Sequence, residues 1–367
     1  MRVLFNKHIW LKEFRSVRWI LLALMVMFLY AQTGGLYSDT RIWEDQYNYF
    51  QSDSFSKDQE QSADDAKLKP EDVKESLTLN YFTTGFPGDH YQPQYTMSQS
   101  YFALSVLVAV LGLAMVAWER YTRKDHFTLA TPFKRVHIIG TKILLGAFGI
   151  IVSYGISLWL GLMHMFNVIP SEYIDLDMKK VYLGLIGNLG TFLLIFILAV
   201  FLGTVMGELL STVVAIGVIA IMPSYVYTTW MVFMQAANPN VDISKLANWT
   251  SYMNVFIVFG NSDFEYGPFV VQMILIALLI AGAIFFYHRY SVESNGKIFV
   301  FPYMRIPSAL LISSGGAILL INFWVNGRFD STTALSLTEL SIFSVIAFLG
   351  CLAVCYAVLY RNAWMRK

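Results

Sequence analysis

The chain has 367 residues, 56% of them hydrophobic and 14% charged, with a mean hydropathy of +0.53. That is too apolar for a soluble globule of this length. The net charge of +1 says little alone, since its distribution carries the information, and no nucleic-acid partner is expected.

A hydrocarbon core of about 30 Å needs about 20 apolar residues as helix. Eight stretches reach or approach that length: 19–36, 101–118, 143–165, 181–206, 209–233, 269–287, 306–324 and 337–360. They are continuous apolar runs, without the alternation of a barrel strand, and only helices and closed barrels satisfy the backbone in lipid. The predicted fold class is therefore an all-α polytopic membrane protein with about eight transmembrane helices.

In chain order, residues 1–18 read as an interfacial helix. Val3, Leu4, Trp10, Leu11 and Phe14 gather on one arc, with Arg2, Asn6, Lys12 and Glu13 largely opposite. The span at 19–36 is not read as a cleaved signal peptide, because Tyr30-Ala31-Gln32-Thr33 lacks a small-x-small site. Residues 38–98 form a 61-residue excursion, far longer than an ordinary connection. Asp53 to Leu79 is acid-rich with helical propensity, whereas Tyr81 to Tyr95 is aromatic and turn-forming, so a small, partly ordered subdomain is expected to pack on the span ends. Residues 101–290 hold spans two to six, with a polar connector at 119–142. Spans four and five meet at Met206-Gly207-Glu208-Leu209, a minimal turn. Residues 291–367 carry a loop and spans seven and eight; the apolar run Ile298-Phe299-Val300-Phe301-Pro302 is expected on the membrane surface or against a partner. Cys351 and Cys355 lie in the last span, where neither a disulfide nor a metal site is expected.

Charge distribution orients the chain. Lys and Arg concentrate in 1–18 (five), 119–142 (six), 288–306 (three) and 361–367 (three), leaving nine of the 26 in the other segments. The outer segments hold 20 of the 25 acids, Glu208 lying on the turn between spans four and five. The positive-inside rule then puts both termini in the cytoplasm and 38–98 outside; the expected location is the plasma membrane.

The connector is the most specific feature. Glu119-Arg120 follows at once on the second span, and Leu129-Ala130-Thr131-Pro132-Phe133-Lys134-Arg135 closes the segment before the next. Phe127, Leu129 and Phe133 are interleaved with cations that include Arg123. An E-R start and an L-x-T-P-x-x-R close around a short interfacial helix resemble the coupling segment of ABC-2 type permeases, which also carry an N-terminal elbow helix. The resemblance covers residues 1 to about 290 in layout; spans seven and eight are additional to the usual six. It implies a membrane-spanning subunit of an ATP-driven transporter, more an exporter than an importer. It also implies a separate ATP-binding subunit docked at 119–135 and a second permease chain, identical or paralogous. Glu119, Arg120, Arg123, Phe127, Leu129, Thr131, Pro132 and Arg135 are the implied site residues. The competing reading of the same residues is an ordinary basic loop.

The remaining chemistry is sparse. No G-x-x-x-x-G-K-[ST] loop occurs, so the chain itself binds no ATP or other cofactor, and ATP with Mg would sit on the partner. The spans hold no Asp, Glu, Lys or Arg in their central turns, which argues against an ion-coupled carrier. H-E-x-x-H and G-x-S-x-G are also missing, so no catalytic or metal residue is assigned. Two other classes stay open: a sensory or regulatory subunit using 38–98, and an intramembrane enzyme with an unrecognised site.

Overall fold

Hydrophobic runs of this length form helices because each residue's N–H and C=O can then pair inside its own segment. A computed structural model describes residues 7–61, 69–79, 101–176, 178–238, 266–290, 299–326 and 336–364. Among these the chain is almost entirely helical, with no strand and with isolated bridges at Leu79–Ile174 and Met206–Phe299. Six helices among the described residues are long and apolar enough to cross a membrane, joined by the shorter apolar helices Phe102–Met115 and Leu209–Ile219. The chain is an all-α polytopic membrane protein.

The first helix differs from the expected elbow and span. Helix α1 (Lys7–Phe28) passes through a π-helical turn at Leu29–Thr33 directly into α2 (Gly34–Phe50). No break falls near residue 18, and the helix does not stop at 36. At 1.5 Å per residue this 44-residue rod is about 66 Å long, roughly twice the hydrocarbon thickness. Glu13, expected on the polar, water-facing side, is instead turned into the bundle. Ile9, Glu13 and Val17 are buried, while Leu11 and Phe14 are exposed. In a membrane the apolar arc can face lipid, and a charge is best placed inside the bundle beside a counter-charge. The π turn inserts extra backbone where Phe28, Gln32, Leu36 and Thr40, four residues apart, must all keep facing inward.

Beyond α2, Ser52 Oγ accepts from the Phe55 N–H at the start of α3 (Asp53–Gln61). Helix α4 (Pro70–Leu77) has proline at its first position and Glu71 and Asp72 in its first turn. It folds back on α2: Trp43 Nε1 donates to the Leu77 carbonyl at 2.9 Å, and Leu79 pairs with Ile174. Trp43, Leu77, Leu79, Met165 and Ile169 form a small core at this end of the bundle. The aromatic stretch Tyr81–Tyr95 lies outside the described residues.

The main core is built by α1, α5 (Tyr101–Met115), α8 (Arg135–Val168), α9 (Met178–Val205) and α11 (Tyr266–Arg289). Phe28 meets Tyr154 and Phe192 edge-on, with ring centroids 6.0 and 5.1 Å away. Helices α5 and α9 approach so closely at Gly112 that a Cβ there would lie 2.6 Å from Ala199 Cβ and 2.7 Å from the Phe196 carbonyl oxygen. Helix α10 (Leu209–Ala237) carries α12 (Arg305–Asn326) and α13 (Leu337–Trp364) on its far side. Buried Asn322 on α12 donates to Thr229 Oγ1 at 2.6 Å and to the Tyr225 carbonyl at 3.2 Å on α10. The segment expected on the membrane surface or a partner instead packs on its own chain. Phe299, Val300 and Phe301 are buried against Val205, Met206, Phe286 and Tyr290, and the Val300 N–H donates to the Val205 carbonyl at 3.0 Å.

Candidate functional site

The connector after α5 folds into two short helices, α6 (Ala117–Tyr121) and α7 (Lys124–Leu129). Arg123 joins them at φ 57°, a left-handed conformation that turns the chain sharply at a residue other than glycine. After the turn at 130–134 a long helix follows, with Lys134 as the N-cap of α8.

Four charged side chains lock this connector to the bundle. Lys142, two turns into α8, donates to Glu13 Oε2 at 2.6 Å and to Glu119 Oε2 at 2.7 Å. Lys12 donates to Glu13 Oε1 at 3.2 Å and Glu119 Oε1 at 3.3 Å. Each carboxylate thus accepts from both lysines through different oxygens. Lys12 also donates to Thr128 Oγ1, and Thr128 Oγ1 donates to Glu119 Oε1. The cluster is neutral as a whole and joins α1, α6, α7 and α8. Glu13 and Lys142 are each 1% exposed, so the pair operates without bulk water. Burial pushes the Glu119 carboxyl up, but Lys142 and Lys12, with hydrogen bonds from Lys142 and Thr128, outweigh it and hold the pKa at about 2.

A second set of contacts lies beside the first. Arg120 is buried, donates from Nη1 to the Met206 carbonyl at 2.7 Å, and stacks its guanidinium 4.1 Å from the Tyr290 ring centroid. Tyr290 Oη donates to Asp125 Oδ2 at 2.6 Å. Arg135 Nη1 donates to the Tyr290 carbonyl at 2.6 Å and the His288 carbonyl at 3.1 Å. The connector is therefore tied to the α9–α10 turn and to the end of α11. A movement of α6 and α7 has to move these helix ends or break charge-assisted bonds.

The expected site residues divide by exposure. Glu119, Arg120 and Arg135 point into the chain's own contacts. Leu129 is half-buried against two core clusters, and Thr131 Oγ1 donates to the Thr128 carbonyl at 2.6 Å. Arg123, Phe127 and Pro132 face outward; Phe127 is 75% exposed and Tyr121 67%. Lys124, His126 and Lys134, close by in the sequence, are exposed as well. This end of the bundle thus presents an aromatic, cationic face on a rigid mount.

Sequence reasoning missed Lys12, Glu13, Thr128, Lys142, Met206 and Tyr290 as parts of this site. The available signal was Glu13, Glu119 and Lys142, opposite charges each close to the end of an apolar run. Among the described residues, no group of three or more His, Cys, Asp or Glu side chains is arranged to hold a metal. The carboxylates described at this site are engaged by cations or hydroxyl groups. No protein-family model, curated protein or solved structure matches this chain.

Proposed function

We propose that the chain is the membrane-spanning permease subunit of an ATP-driven ABC-2 type transporter, with α5 and α10 completing eight crossings. A separate ATP-binding subunit docks on α6 and α7 and carries ATP and Mg, and a second permease chain completes the assembly. Export is the favoured direction. The observation that carries this reading is the contrast across α7. One side joins the buried charged cluster that α7 shares with α1, α6 and α8, and the other offers Phe127 at 75% exposure beside Arg123, Lys124 and His126. An exposed aromatic next to an exposed arginine, on a segment fastened to the bundle, has the composition of an interface centre. The Lys and Arg asymmetry, which puts this face in the cytoplasm, supports the same reading.

Both Phe127 and Leu129 were expected at the partner interface, but Leu129 packs inside the chain. Phe127→Asp alone therefore isolates docking from folding. Tagged wild type, recovered from its native membranes in mild detergent, is expected to bring an ATP-binding subunit with it. Phe127→Asp is expected to lose most of that recovery with an unchanged melting temperature, and the purified chain alone is expected to hydrolyse no ATP. Equal recovery in a folded variant, or ATP turnover by the chain alone, would overturn the reading.

A further inference from the structure

A second feature at the same end of the bundle is independent of whether an ATPase docks there. An open groove of about 530 Å³ runs between the start of α8 and the last turns of α11, lined by Val136, Ala281, Ile284, Phe285, His288 and Arg289. Its chemistry is graded along the helix axis. Ala281, Ile284 and Phe285 lie one to two turns inside the apolar span, whereas His288 and Arg289 sit at its very end. Ala281 and Arg289 are separated by about 12 Å along the helix. The Arg289 guanidinium lies 4.2 Å from the Phe285 ring centroid, directly above the apolar part.

We propose that this groove binds one anionic phospholipid, with an acyl chain along Ala281, Ile284 and Phe285 and the phosphate at Arg289 and His288. Charge complementarity selects this occupant. Among the described residues no acidic side chain lines the groove, and exposed Lys134 adds a further cation near Val136. The acid closest in the network, Asp125, accepts from Tyr290 and is buried. Helix α8 begins at the rim without a side-chain cap, so the positive end of its dipole adds to the same field. Basic pockets between membrane helices, at the basic end, are where acidic headgroups bind. The Arg135 bonds to the His288 and Tyr290 carbonyls join α8 to α11 and hold the two walls together. A lipid seated here would bridge the same two helices that the connector is fastened to.

The test uses the full chain in detergent, titrated with dioleoyl phosphatidylglycerol or dioleoyl phosphatidylcholine, and bound lipid is counted by native mass spectrometry. Wild type is expected to retain one phosphatidylglycerol in preference to phosphatidylcholine. Arg289→Gln is expected to weaken that binding about fivefold, as removal of one cation near an anionic headgroup does. Ala281→Trp fills the exposed apolar part and is expected to displace the lipid altogether. Arg18→Gln, which removes a cation from α1 outside the groove, is expected to leave binding unchanged, and soluble glycerol phosphate is expected not to compete. Equal retention of both lipids, equal losses in Arg18→Gln and Arg289→Gln, or unchanged binding in Ala281→Trp would each overturn the proposal.

Discussion

Replacing Lys142 by methionine is the most direct challenge to the charged cluster. The side chain is 1% exposed and donates to two carboxylates at 2.6 and 2.7 Å. Methionine keeps most of the volume and removes the charge. Glu13 and Glu119 are then left with Lys12 alone, which is 35% exposed and bonds more weakly, at 3.2 and 3.3 Å. One uncompensated negative charge remains in a buried site. Removing one partner of a buried pair costs about 3–5 kcal/mol, because the other charge is left desolvated. A loss of that size is a large part of the roughly 5–15 kcal/mol that holds a typical domain folded.

The same reasoning fixes the double variant. Adding Glu119→Gln to Lys142→Met leaves Lys12 with Glu13 and restores neutrality. The double variant is therefore expected to be more stable than Lys142→Met alone, with a positive coupling on the order of 1–3 kcal/mol between the two positions. Replacing all four charged groups by neutral side chains of similar volume is expected to cost little or nothing in stability. The measurement is reversible unfolding in mixed micelles of increasing denaturing detergent, followed by tryptophan fluorescence. Additive single losses, or a Lys142→Met variant as stable as wild type, would refute the account of the cluster as one interdependent unit.

Two further outcomes follow from the same site. The Glu119 pKa is held at about 2, below its ordinary 4.5, so between these values the folded chain binds fewer protons than the unfolded one. The stability Glu119 contributes is therefore complete above about pH 4.5 and disappears as pH falls through about 2; the difference in unfolding midpoint between wild type and Glu119→Gln is expected to shrink on acidification, and a difference that grows instead would contradict the assigned contacts. Arg123 holds φ at 57°, a conformation that costs a residue with a Cβ about 1–2 kcal/mol, so Arg123→Gly is expected to be neutral or stabilising by up to about 1 kcal/mol in the same unfolding assay, after the entropy lost by glycine.

Length and apolarity made the helical membrane class legible, since no other backbone arrangement suits runs such as 143–165 and 181–206. The helix boundaries were less so. Residues 7–18 look like a separate surface helix because Leu11 and Phe14 share an arc, and an interfacial helix and a lipid-facing helix have the same amphipathic pattern. What differs is the destination of Glu13, which depends on Lys142 and Glu119, more than 100 positions away. Continuity past residue 36 was hidden for a similar reason. The π turn at Leu29–Thr33 is stabilised by contacts with α8, where Thr33 Oγ1 donates to the Ser157 carbonyl at 2.8 Å and Ser157 Oγ donates to Gln32 Oε1 at 2.5 Å.

The connector shows where local pattern ends and tertiary chemistry begins. Its bounds, 119 to 135, are readable because charge interrupts apolar runs there. Its orientation is not readable, because Phe127 and Leu129 are both apolar residues among cations and only the surrounding helices distinguish them. Leu129 falls against the cluster of Val205, Met206 and Phe301, contributed from distant parts of the chain, while among the described residues Phe127 stays 75% exposed. The same division explains why the charges within 119–135 serve two purposes. Glu119, Arg120, Asp125 and Arg135 are held inward by specific partners and set the position of α6 and α7. Arg123 and Lys124 remain outside, on the turn and the first residue of α7, where they can meet another surface without disturbing the buried network. A mount and a contact face built from adjacent residues of one short segment would pass force applied at Phe127 to Lys142 and the end of α11 through charged contacts rather than through lipid-facing packing.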